Sequence, residues 1–149
     1  MDPFLEARVE RLAATKQITS RGVGEDGVPS ESYASFRVVI AMATKEQVFQ
    51  LLKHRSPVVR GYMAAYILSA WPGEGAPILR LLTDKARVFT IFGCEVGQPT
   101  LGDYVWEELR QRRREPELRA LLLAVSNDKA IPNGRRKQAR AWAEGDFSR

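Results

Sequence analysis

Leu51-Leu52 followed by Val58 recurs as Leu81-Leu82 followed by Val88, thirty residues further along the chain. In both places a leucine pair ends an amphipathic run, a short polar turn follows, and a valine opens the next apolar run. A pattern repeated at a fixed offset implies a core assembled from one kind of supersecondary unit. A unit this small cannot bury its apolar face alone, so copies must pack against one another. The unit here reads as an antiparallel helical hairpin, and the expected fold class is all-α.

Helix start signals support that reading along the chain. Asp2-Pro3 is an N-cap followed by proline at the first helical position, and Leu5, Val9, Leu12 and Ala13 then share one face. The segment from Thr19 to Pro29 holds Gly22, Gly24, Gly27 and Pro29 and reads as a loop. Ser30 or Ser32 caps a second helix carrying Phe36, Val39, Ile40 and Ala43. Thr44 to Gln47 is a capping-box pattern opening a helix with Val48, Leu51 and Leu52. Ser56-Pro57 starts the helix of Val59, Tyr62, Met63, Tyr66, Ile67 and Ala70, which Trp71-Pro72-Gly73 closes. Another helix is expected from about Ala76, with Ile78, Leu79, Leu81 and Leu82 inward.

Past Val88 the second copy departs from the first. Gly93 to Thr100 reads as a loop inserted into the repeat, and Thr100 then caps a helix with Tyr104, Val105, Trp106 and Leu109. Glu115-Pro116 opens a helix with Leu118, Leu121, Leu122 and Val125, and Arg135 to Ala143 forms the last one. The 149 residues suit one domain. It divides into an N-terminal helix pair (1–43), a best-matching repeat (44–71), a degenerate repeat (72–114) with the inserted loop (93–100), and a basic C-terminal hairpin (115–149).

The stretch from Leu51 to Tyr66, with Pro57-Val58-Val59-Arg60 after the polar turn and Ala64-Ala65 where helices pack closely, resembles the HEAT-repeat signature. In the second copy Thr90 stands where the arginine would be, and His54 occupies a turn position commonly held by aspartate. The resemblance implies a short right-handed stack of hairpins, an α–α superhelix like that of small bacterial HEAT-like proteins. Its second helices would line a concave binding surface. It implies binding and scaffolding, with no particular chemistry.

Charge is unevenly placed. Of a net charge of +5, the segment Arg110 to Arg140 holds 10 Lys/Arg against 3 Asp/Glu. Local basicity points to an acidic partner surface or a phosphate backbone. The candidate binding residues are Arg60, Arg110, Arg113, Arg114, Arg136 and Arg140, joined by Cys94, Glu95 and Gln98 of the inserted loop. Arg112, Arg135 and Lys137 belong to the same basic segment, whose alternative reading is a solvated face. Of the aromatics Tyr62, Tyr66, Trp71, Tyr104, Trp106 and Trp142, helical spacing assigns most to the core and leaves Trp142 as the most exposed.

No catalytic constellation emerges. The single histidine, His54, and single cysteine, Cys94, match no zinc spacing. As a nucleophile and base they lack an orienting third group. The glycines at 93, 97 and 102 lack the Lys-Ser/Thr ending and the preceding strand of a phosphate loop. No cofactor or metal is expected. No apolar run approaches the roughly 20 residues that cross a bilayer, and the first residues lack a secretory signal pattern, so a cytoplasmic chain is expected. The expected function is non-catalytic binding of another protein, one with an acidic surface, through the concave face and inserted loop. An adaptor or an inhibitor, such as an immunity protein that neutralises a toxin, fits that expectation. The alternative is nucleic-acid binding through the arginine-rich segment.

Overall fold

The computed structural model describes residues 1–23 and 27–149. The chain is mostly helical. The helices are α1 (Pro3–Ala14), α2 (Glu31–Met42), α3 (Lys45–Leu51), α4 (Pro57–Ala70), α5 (Leu101–Gln111), α6 (Arg119–Asn127) and α7 (Asn133–Ala143). A longer 3₁₀ segment spans Ala76–Thr83, with short ones at Pro72–Glu74 and Pro116–Leu118. In space α1 packs on α2, α3 on α4, the Ala76–Thr83 segment on α5, and α6 on α7.

The helix starts follow the caps. Asp2 accepts from the Phe4 amide, Thr44 forms both halves of a capping box with Gln47, and Ser56 and Thr100 accept from Val59 and Asp103. Each cap satisfies an amide that the helix itself leaves open.

A small sheet makes the fold more than all-α. Its order is β2-β1-β3-β4, from β1 (Gln17–Val23), β2 (Val28–Pro29), β3 (Phe89–Gly93) and β4 (Glu95–Gly97). The segment from Thr19 to Pro29, expected as a loop, supplies most of β1 and all of β2; Gly24 lies outside the described residues. The inserted loop at 93–100 is in part the second arm of a β-hairpin, Phe92 pairing with Glu95. Gly93, at φ 62°, takes the first central position of that two-residue turn, where a glycine relieves the strain. The helix expected from Ala76 is 3₁₀ in form.

The reason for the sheet is positional. β1 and β2 leave the turn between α1 and α2, and β3 and β4 leave the turn between the Ala76–Thr83 segment and α5. β1 and β3 lie side by side in parallel, with Gln17 opposite Phe89 and Thr19 opposite Ile91. Each excursion alone would leave backbone N–H and C=O groups unpaired, and joining them satisfies both.

The sheet sits on α4 through close packing. A Cβ at Gly61 would collide with the Ile18 side chain from β1 and lie 3.2 Å from Leu101 Cδ1. The buried Tyr62 hydroxyl accepts from the Thr19 amide at 2.9 Å and bonds Ser32 Oγ at 2.8 Å, so one α4 side chain ties β1 to α2. Thr19 also bonds Ser30 through their hydroxyls.

Candidate functional site

Helices α2, α4 and α5 enclose an open groove of about 540 Å³, a volume within the usual range for ligand sites. Phe36 of α2 forms its floor, stacked on Tyr62 at 4.8 Å between centroids and edge-on to Tyr66 at 6.0 Å. Tyr33 and Arg37 add the α2 wall, and Tyr66 and Ser69 the α4 wall. Phe92, from the tip of the β3–β4 hairpin, closes one end and stacks parallel to Tyr104 of α5 at 6.2 Å.

The α5 wall is polar and tightly built. Tyr104, Glu108 and Arg112 are spaced four residues apart, which places them on one helix face. Burial, reinforced by neighbouring Glu107 and opposed by Arg112, raises the Glu108 carboxyl above its ordinary value. Burial, with Glu108 and Tyr62 nearby, lifts the Tyr104 hydroxyl well above the usual tyrosine range. Arg112 approaches Glu108 at 3.6 Å, and its Nε is buried with no hydrogen-bond partner.

The expected site residues fall into different roles. Arg60 is spent inside the fold: it donates to the His54 and Arg55 carbonyls at 2.8 and 3.0 Å and pairs with Asp84 at 3.0 Å. Arg60, at the start of α4, thus meets Asp84 in the turn after the Ala76–Thr83 segment. His54 Nδ1 accepts from the Ser56 amide, so Nε2 carries the proton and donates to Glu10 at 3.2 Å. Both ring nitrogens are therefore taken, and neither is available to exposed Cys94.

The basic segment is largely built into the joint between α5 and α7. Trp142, expected as the exposed aromatic, is 2% exposed. It stacks on Trp106 at 5.1 Å and donates from its indole to the Arg149 carbonyl at 3.0 Å. Arg113 covers Trp142 at 5.9 Å and Arg135 covers Trp106 at 5.3 Å. Arg135 also bonds Asp103 at 2.8 Å, which holds that carboxyl below its ordinary value. Arg114 lies over Phe147 at 5.1 Å. Arg136 reaches Asn133 of its own helix at 3.5 Å. Arg140 donates to Ser126 and Asn127 at 3.2 and 3.0 Å, and Arg110 pairs with Glu107 at 3.2 Å.

Cys94, Glu95 and Gln98 are exposed on the hairpin, and the Gln98 carbonyl accepts from Arg87 at 3.1 Å. None of these three lines the groove; Phe92 does. Tyr33, Arg37 and Glu108 are groove residues that the sequence alone does not single out, while Phe36 is expected only as a helix-face residue and Arg112 only as part of the basic segment. The spacing of Tyr104, Glu108 and Arg112 was the available signal. Among the described residues no helix is long and apolar enough to cross a membrane. The chain matches no protein-family model, no curated protein and no solved structure.

Proposed function

We propose that this protein is a HEAT-like stack of helical hairpins acting as a non-catalytic binding module, and that it takes a segment of a partner protein into the aromatic groove. The carrying observation is the groove itself: three helices and the hairpin tip converge on one open, aromatic-lined hollow. Clustered aromatics in a concave site supply large contact area at low entropy cost and are the common anchors of protein interfaces. Such a module would act as an adaptor, or as an inhibitor by masking what it holds. The arginines of α5 and α7 would contribute at the rim, where charge tunes association more than affinity.

The test is capture of a partner from native extract, with and without nuclease, by the intact chain and two variants. Ser69→Trp fills the groove from an exposed position. Arg110→Glu with Arg140→Glu reverses two exposed charges away from it. A stoichiometric protein that survives nuclease, is lost with Ser69→Trp and is kept by the charge variant supports the reading. Recovery of nucleic acid that disappears with the charge variant would replace it with phosphate-backbone binding.

A further inference from the structure

The α5 wall holds donors that the fold itself does not use. Tyr104 is 6% exposed, yet its hydroxyl makes no hydrogen bond among the described residues. The charges that act on that hydroxyl, Glu108 and Arg112, line the same groove, as does Tyr62. Tyr104 lines the open groove, so its hydroxyl is free to bond a group that enters there.

Arg112 repeats the observation. Its side chain is 31% exposed, and the 3.6 Å approach to Glu108 is too long for a hydrogen bond. Buried Nε atoms without a partner also occur in Arg60, Arg113 and Arg136, but each of those guanidinium groups donates elsewhere. Arg112 donates to nothing among the described residues. Across the groove Arg37 also has no ion pair or hydrogen bond among them. With Glu108 ionised, Arg112 and Arg37 leave the groove one positive charge in excess.

We infer that Arg112 and Tyr104, faced by Arg37, form an oxyanion subsite that holds a carboxylate or phosphate presented by the partner segment beside an apolar side chain packed on Phe36 and Tyr66. This rests on the groove being the partner site and adds what is recognised there. Arginine supplies a planar, permanently charged donor fork matched to an oxyanion, and the Tyr104 hydroxyl supplies a further donor. A monoanion brings the groove to neutrality. A dianion is accommodated when Glu108 takes up a proton, because the repulsion between them is then removed.

Three probes separate the possibilities: 3-phenylpropanoate, its neutral amide, and phenyl phosphate, each titrated into the ¹⁵N-labelled intact chain. The expected result is movement of the Arg112 Nε–H resonance together with amides of α2, α4 and α5, with the amide probe bound at least about tenfold more weakly than the propanoate. Tighter binding of phenyl phosphate assigns the site to a phosphate, and tighter binding of the propanoate to a carboxylate. Arg112→Gln should weaken the anions by about tenfold, while Arg110→Gln leaves them unchanged.

Tyr104→Phe guards against misfolding, since it removes a hydroxyl with no internal partner. It should keep or raise stability while weakening the anions roughly three- to tenfold. Equal binding of acid and amide, or anion binding unmoved by both Arg112→Gln and Tyr104→Phe, overturns the subsite. Partner capture lost with Ser69→Trp but unaffected by Arg112→Gln also overturns it, while leaving the groove reading intact. Anion binding that responds to Arg112 while capture ignores Ser69→Trp does the reverse: the subsite stands and the partner reading falls.

Discussion

Tyr62→Phe isolates the contact that fixes the inserted sheet, and hence the Phe92 end of the groove, to the helices. The Tyr62 hydroxyl accepts from the Thr19 amide at 2.9 Å and bonds Ser32 at 2.8 Å, with Thr19 Oγ1 at 3.4 Å. Tyr62 is 4% exposed, Thr19 3% and Ser32 0%, so water has little access to replace what is lost. Phenylalanine keeps the ring and its stack on Phe36 and leaves almost no cavity. The cost is therefore electrostatic. One buried backbone donor loses its partner, at about 1–3 kcal/mol, and a second hydrogen bond goes at about 1 kcal/mol. Ser32 still reaches the Gln17 carbonyl, which limits the second loss. The sum is a destabilisation of about 2–3 kcal/mol, read as a lowered midpoint in urea at unchanged slope. Amide exchange at Thr19 should accelerate in the same variant, since its only protection from that side is gone. Tyr66→Phe is the control: that hydroxyl makes no hydrogen bond among the described residues, and its removal should stay within about 0.5 kcal/mol. A Tyr62→Phe protein as stable as the Tyr66→Phe protein would refute the argument that this hydroxyl holds β1 to α4.

Gly102→Ala should lower the melting temperature by about 4–8 °C, since about 2 kcal/mol of overpacking is expected. Its Cβ would meet the Leu82 carbonyl oxygen at 2.5 Å and the Asp84 carbonyl oxygen at 3.2 Å, both backbone atoms that cannot swing aside. Gly61→Ala presses on the ends of the Ile18 and Leu101 side chains, with the Tyr104 ring at ordinary contact distance of 3.4 Å, and should cost less; calorimetry of the pair tests the order. Arg60→Met should cost about 2–3 kcal/mol in guanidinium unfolding, because Asp84 and two carbonyls lose a largely buried partner. Glu108 carries a pH signature. Its carboxyl is raised above 4.5 by burial, so the folded chain keeps a proton that the unfolded chain has lost. Stability should fall as pH rises from about 4.5 through the folded value. Glu108→Gln should flatten that slope, gain on the native chain at neutral pH, and lose its advantage at pH below 4.5, as followed by unfolding across pH.

What was legible in the sequence is what depends on neighbours within a turn of helix. Thr44 and Gln47 close a capping box three residues apart, and Ser56 caps Val59, so both helix starts follow from local chemistry alone. β1 and β3 do not. Gln17-Ile18-Thr19 offers one strongly apolar residue, and Phe89 to Phe92 is a short run that a degenerate helical repeat also explains. Each becomes a strand because the other lies beside it, a contact some seventy residues distant in sequence. Trp142 misled for the same reason: its polar neighbours suggest exposure, but its partner Trp106 sits on another helix.

The three consecutive arginines at 112, 113 and 114 show why charge counting alone does not separate the members of one basic run. Successive residues at a helix end project about 100° apart, so identical side chains meet different surroundings. Arg113 lies over Trp142 and donates to the Arg110 carbonyl at 2.9 Å. Arg114 lies over Phe147. Both cover aromatic faces and are part of the packing. Arg112 alone of the three turns into the groove, beside the Glu108 carboxyl, which burial raises above its ordinary value, and the Tyr104 hydroxyl. A basic run signals recognition only through the members whose donors the fold has not already used. Here that member is Arg112, which stands where α2, α4 and α5 converge, and the tie from Tyr62 fixes α2 and β1 to α4 on the opposite side of the groove.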